Sequence, residues 1–234
     1  MAHITRRTAV KSTTVLGLAG FTGGLLAAAP AAAEETASGS EDTARPTSLN
    51  GWELVEKTND ISTVWTRPVP GTECSIDVCI GDVEAVLVHV IRRFHYEVDA
   101  LRKGDVIGWR APSEVKKGLT ESNQASGTAV QIRPGFYPAG SKGGFFSPQL
   151  MVIRDILAEL DGVVRWGGDD SRPDESLFSI DVKPADVRLT AVVEKIRVWK
   201  GTPGKGAGTP VDVRASGRRK AAKALESRQR ETAA

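Results

Sequence analysis

The sequence predicts an α+β domain, an antiparallel sheet with helices packed against it. Three observations predict it. Leu150, Ile153, Leu157 and Leu160 recur at helical spacing between Ser147-Pro148 and Gly162, the signature of an amphipathic helix with a start and a stop. Short alternating stretches such as Ala129 to Ile132 and Phe178 to Val182 read as strands. Helices and strands do not alternate strictly along the chain, which favours an antiparallel sheet over a βαβ arrangement.

Taken in order, residues 1–33 read as an export signal. Thr5-Arg6-Arg7-Thr8-Ala9-Val10-Lys11 matches a twin-arginine pattern, Val15 to Ala29 is apolar and rich in Gly and Ala, and Ala31-Ala32-Ala33 offers a small-residue cleavage site. The apolar run falls short of the ~20 residues that span a bilayer. The expectation is a secreted protein starting near Glu34, exported already folded by the twin-arginine route and associated with the cell wall. Residues 34–48 are Ser/Thr/Ala/Glu/Asp-rich and predict a flexible linker. Residues 49–200, about 150 in all, are long enough for one domain with its own core. Residues 201–234 begin Gly/Pro/Thr-rich and then turn basic, and predict a disordered tail.

The net charge of +2 hides an uneven distribution. Lys200 to Ala234 holds nine Lys/Arg against three Asp/Glu, and the domain before it carries the balancing acidic excess. A basic tail on an acidic domain predicts contact with an anionic polymer; for an exported protein that means wall polymers or lipid head groups rather than nucleic acid. A solvated tail without a partner is the competing reading. Cys74 and Cys79 are the only cysteines, and outside the cell such a pair predicts a disulfide closing a short loop, adding on the order of 2 kcal/mol.

Within the domain, Asp82 to Arg93 predicts a helix capped by Asp82, with Val83, Val86, Leu87, Val90 and Ile91 as its apolar face. Phe94 to Leu101 alternates and predicts a strand, followed by a turn at Lys103-Gly104-Asp105 and an extended stretch from Val106 to Arg110. Ala129 to Ile132 predicts a strand sending Val130 and Ile132 to the core and Gln131 to the other face. The main helix starts at Ser147 as N-cap, Val163 to Trp166 is a strand, and a last helix runs from about Ala185 to Trp199 on Leu189, Val192, Ile196 and Trp199.

Two strings carry functional information: Ser122-Asn123-Gln124-Ala125-Ser126-Gly127-Thr128-Ala129-Val130-Gln131, and Trp166-Gly167-Gly168-Asp169 followed by Asp174-Glu175-Ser176-Leu177. Together they resemble the active-site motifs of zinc D-alanyl-D-alanine carboxypeptidases and related peptidoglycan endopeptidases, which share a fold with the hedgehog signalling domain. The resemblance implies that fold for about Leu87 to Trp199 and places a groove among Arg110, Ser122, Gln124, Gln131, Trp166, Asp174 and Leu177. It also implies that positions 124, 131 and 177 correspond to zinc ligands, that Asp174 holds the general-base position, and that Arg110 falls where the family steadies an oxyanion. Here the three ligand positions are Gln124, Gln131 and Leu177. Two amides and an alkyl group cannot replace His and Asp around zinc, so zinc is expected to be absent and the chain is read as a catalytically degenerate relative binding peptidoglycan stem peptides or another cell-wall partner. An active metallopeptidase with an atypical site is the first alternative; a structural or interaction protein with a closed groove is the second. His89 and His95, the only histidines after the export signal, need not converge.

Overall fold

The computed structural model describes residues 45–232. The expected export signal and residues 34–44 of the expected linker lie outside them. Alternation builds the larger sheet. Strands β3 (Val106–Ile107), β4 (Ala129–Ile132), β5 (Val164–Trp166) and β6 (Leu177–Ile180) pair in the order β3-β4-β6-β5, antiparallel throughout. Val130 and Trp166 both pair with Phe178, and Val164 with Ile180. With Ile132 these side chains form the core face of the sheet. Gln131, Leu177, Ser179 and Arg165 fall on the opposite face, since successive side chains alternate.

Helices α1 (Asp82–Glu97) and α2 (Ser147–Glu159) cover the core face, α3 (Val187–Lys200) packs on α1, and α4 (Ser216–Glu231) packs on α2. A two-stranded hairpin, β1 (Val64–Pro68) with β2 (Ser75–Cys79), joins the core beside α1. Among the described residues no helix is long and apolar enough to cross a membrane.

Each helix has a local reason. Asp82 and Glu84 occupy the first turn of α1, where the helix dipole favours acids, but Gly81, at φ 90°, holds the cap position rather than Asp82. Phe146 rather than Ser147 is the N-cap of α2; Pro148 lies in the first turn and the Gln149 Oε1 accepts from the Phe146 N–H at 3.0 Å. Asp186 caps α3 by accepting from the Arg188 N–H at 2.9 Å. Ala185, expected inside that helix, sits at φ 62° and is excluded from it.

Four further expectations are corrected. Residues 94–97 continue α1 instead of starting a strand: Phe94 extends the stripe of Val83, Leu87 and Ile91, and Arg93 pairs with Glu97 one turn on. Cys74 and Cys79 are free. They flank the extended strand β2, which holds them about 16 Å apart at ~3.3 Å per residue, far beyond disulfide reach. Arg45 to Ser48 are not linker: Arg45 pairs with Glu53 at 2.6 Å and Thr47 bridges Glu53. The basic tail is not disordered over Ser216–Glu231 but forms α4, burying Ala222, Leu225 and Gln229.

α4 is held by charge as well as packing. Arg93, 1% exposed, meets Glu97, Asp155 at 3.1 Å and Glu159 at 2.9 Å. Arg218 of α4 completes this cluster through Asp155 and Glu159, and His89 closes it at 2.8 Å from Glu159. A second cluster joins Arg154 to Asp169 and Glu226, and Arg230 to Asp169. The Gln229 amide donates to the Val164 carbonyl at 2.9 Å, covering the outer edge of β5.

Candidate functional site

The face of the sheet turned away from the helices, partly covered by the turn Thr120–Ser126, floors a cavity of about 610 Å³. Leu177, Ser179 and Asp181 of β6 and its continuation line it, together with Arg165 of β5. The turn Thr120–Ser126 and the segment Asp170–Asp174 form two walls, and Leu49 and Asn50 a third.

The two motif strings fold against each other here. Gln131 stands opposite Leu177 in the β4–β6 register, and its Nε2 donates to the Asp174 Oδ2 at 2.9 Å. The Asp174 Oδ1 accepts from the Ser176 N–H at 3.1 Å and hydroxyl at 2.6 Å. Any Cβ at Gly167 would lie 2.6 Å from the Asp174 carbonyl and 3.2 Å from the Leu177 Cβ, so this close approach requires glycine. Gln124 is 0% exposed; its Nε2 donates to the Gly108 carbonyl at 2.9 Å, and its Oε1 finds no protein partner. Gln131 pairs with Ile107 on one side and Leu177 on the other, and Gln124 reaches Gly108, the residue after Ile107, from the turn Thr120–Ser126.

Not every expected residue reaches the cavity. Asp174 and Leu177 line it. Gln124 and Gln131 are buried behind its wall, and Ser122 is buried accepting from the Leu49 N–H at 3.1 Å. Trp166 belongs to the core, donating to the Glu175 carbonyl at 2.8 Å with the Arg154 guanidinium over its ring. Arg110 is half-buried on the stretch after β3 and is not among the residues that line the cavity.

Other lining residues went unnoticed in the sequence. Arg165 donates to Asp181 at 3.3 Å and to the Thr232 hydroxyl at 2.7 Å, and lies 3.9 Å from Asp170. Burial pushes the Asp170 carboxyl above its ordinary range, against the Thr120 hydroxyl at 2.7 Å and the Arg165 charge. Asp181 was findable, since 177, 179 and 181 share one face of a strand. Asn50 gave no sequence signal, yet its side chain donates to Thr128 at 2.8 Å and to the Ile180 carbonyl at 2.9 Å.

The donor set does not fit zinc. The Gln124 and Gln131 amides direct their N–H groups at a carbonyl and a carboxylate, and Leu177 has no donor atom. Among the described residues no group of three or more His, Cys, Asp or Glu side chains is placed to hold a metal ion. His89 and His95 share α1 but face apart: His89 meets Glu159, while the His95 Nδ1 accepts from the Leu101 N–H at 2.9 Å. Compared with protein-family models, curated proteins and solved structures, the chain has no match.

Proposed function

We propose that this chain is an exported, catalytically inactive relative of the zinc D-Ala-D-Ala peptidases that binds a short wall peptide in the cavity on its open sheet face. The observation that carries the reading is the joining of the two motif strings: Gln131 lies opposite Leu177 and bonds Asp174, and these two partners line one cavity. The hedgehog/DD-peptidase arrangement gives this juxtaposition a reason, because those positions would surround a metal in an active relative. With neutral groups at all three ligand positions, no water is activated, and Asp174 accepts hydrogen bonds that fix the loop instead of taking a proton. The cavity supplies volume and polar lining for a peptide, within the ~300–1,000 Å³ usual for small-ligand sites.

Calorimetry with a stem-peptide analogue ending in D-Ala-D-Ala tests the reading on the mature protein, alongside metal analysis. The expected result is reversible binding, no peptide cleavage and no stoichiometric zinc. Ser171→Trp, at an exposed lining position, should block binding while leaving the fold intact. A parent protein that ignores the peptide overturns the peptide reading, and chelator-sensitive cleavage favours the active-peptidase alternative. The closed-groove alternative draws support from the burial of Gln124, and predicts no peptide binding with an unchanged fold.

A further inference from the structure

Helix α4 uses its cations differently on its two faces. Inward, Arg218 and Arg230 pair with Asp155, Glu159 and Asp169 around buried Ala222, Leu225 and Gln229. Outward, Arg219, Lys220, Lys223 and Arg228 are exposed, as is Arg214 just before the helix. Among the described residues, none of these five side chains lies within ion-pair distance of a carboxylate.

Helix stability does not account for that outward face. Arg219 and Lys223 are like charges one turn apart, which repel. The first turn contains no acid and places Arg219 at the positive end of the helix dipole, the unfavourable end for cations, whereas Arg228 sits in the last turn, where a cation is favoured. The inward clamp and the Leu225 seam hold the helix in spite of this. The Arg219 and Lys223 end of the outward face thus opposes its own helix, the kind of local conflict that a binding surface produces.

The chemistry of the face narrows the partner. Ala221, Ala224 and Ser227 lie among the cations, so there is no large apolar side chain to enter a bilayer. Neither is there an aromatic ring for a base to stack on. What is left is recognition of repeated negative charge along a flexible chain. We propose that the outward face of α4 binds a linear, base-free phosphate polymer through Arg214, Arg219, Lys220, Lys223 and Arg228. This site is separate from the sheet cavity and does not depend on the peptidase resemblance.

Fluorescence anisotropy with labelled inorganic polyphosphate and the mature chain tests it. With four or five phosphate contacts at ~0.7 counterions each, affinity should fall roughly 50- to 130-fold between about 50 and 200 mM salt. The variant Arg219→Gln/Lys220→Gln/Lys223→Gln/Arg228→Gln, whose side chains face solvent, should keep its melting temperature and lose at least about tenfold in affinity. A control variant with the same charge change elsewhere, Lys57→Gln/Lys103→Gln/Lys117→Gln/Lys142→Gln, should bind like the parent. Equal losses in both variants would show non-specific attraction and overturn the proposal, as would unchanged binding by the α4 variant or a flat salt dependence. Binding to single-stranded oligonucleotide or phosphatidylserine vesicles as tight as to polyphosphate, at equal phosphate, would overturn the choice of partner.

Discussion

On the helical side of the sheet, Arg93 and Asp155 are buried and Glu159 half-buried as full charges, matched by opposite charges from neighbouring helices. On the open side, the buried polar groups at the motif positions are the neutral amides of Gln124 and Gln131, and the carboxylate of Asp174 is held by an amide and a hydroxyl. A buried charge is tolerated only with good partners, so it dictates which elements must come together. That is how the helical side specifies the docking of α4. A neutral amide dictates much less, and the open side can keep its backbone arrangement while its chemistry changes. The contrast gives the proposed reading a physical basis, because neutral amides would let a site keep the spacing of a metal centre with none of its ligands.

The largest expected effect breaks the helical side. Asp155→Ala leaves Arg93 and Arg218 short of a partner in a buried cluster and should cost about 3 kcal/mol of stability by chemical denaturation. A loss under about 1 kcal/mol would mean that the cluster is a surface-like network without such a role.

Next comes the reverse experiment on the open side. The triple change Gln124→His, Gln131→Asp, Leu177→His puts a carboxylate against Asp174 and polar rings where Leu177 packs, so the zinc-free variant should be less stable than the parent. Zinc binds only the folded form, and at a hundredfold excess over Kd should return about 2.7 kcal/mol, read as a rising melting temperature. A folded triple variant indifferent to zinc means that the three positions do not converge, and the peptidase resemblance falls with it.

The two sides should also respond oppositely to acid. Burial alone would raise the Glu159 carboxyl, but the His89 hydrogen bond and the charges of Arg93 and Arg218 outweigh it and hold it at about 2, against an ordinary 4.5. A depressed carboxyl contributes stability that is complete above its unfolded value and is lost as pH falls from about 4.5 toward about 2. Denaturation midpoints should fall through that window, and Glu159→Gln should flatten the fall. Asp170 works the other way: with its carboxyl raised by burial, it weakens the fold at neutral pH and ceases to do so as it protonates. Asp170→Asn should therefore give a small gain at pH 7, the least of these effects. A clear loss would show that the carboxylate is needed by Arg165 more than burial disfavours it.

The sequence made some of this legible and not the rest, for physical reasons. α2, α3 and the strands β4 to β6 were readable because their apolar periodicity is strict and their caps and stops are local. α1 was read too short because Phe94, Tyr96 and Val98 alternate as a strand does; the continuing stripe to Phe94 and the Arg93–Glu97 spacing were the signals for helix. α4 was hidden by composition, since its helical stripe is only Ala222, Leu225 and Gln229 and its other anchors are charges whose partners lie far off in sequence. At the site, the motif spacing located Asp174 and Leu177, which do line the cavity. Arg110 was placed by the resemblance alone, and it is not among the residues that line the cavity. Asn50 was out of reach because its partners, Thr128 and Ile180, are joined to it only by tertiary structure.

The hydrogen bond from the Gln229 side chain to the Val164 carbonyl has a bearing on how this protein ages in solution. β5 is the outermost strand of its sheet, and α4 is what lies along its open edge. A protease that clipped the chain within 201–215 would release the helix and leave the outward Val164 carbonyl without its partner, beside apolar Val163 and Val164. Such an edge recruits strands from other molecules. Trimmed protein should therefore precipitate or form β-rich aggregates on storage while the intact chain stays clear.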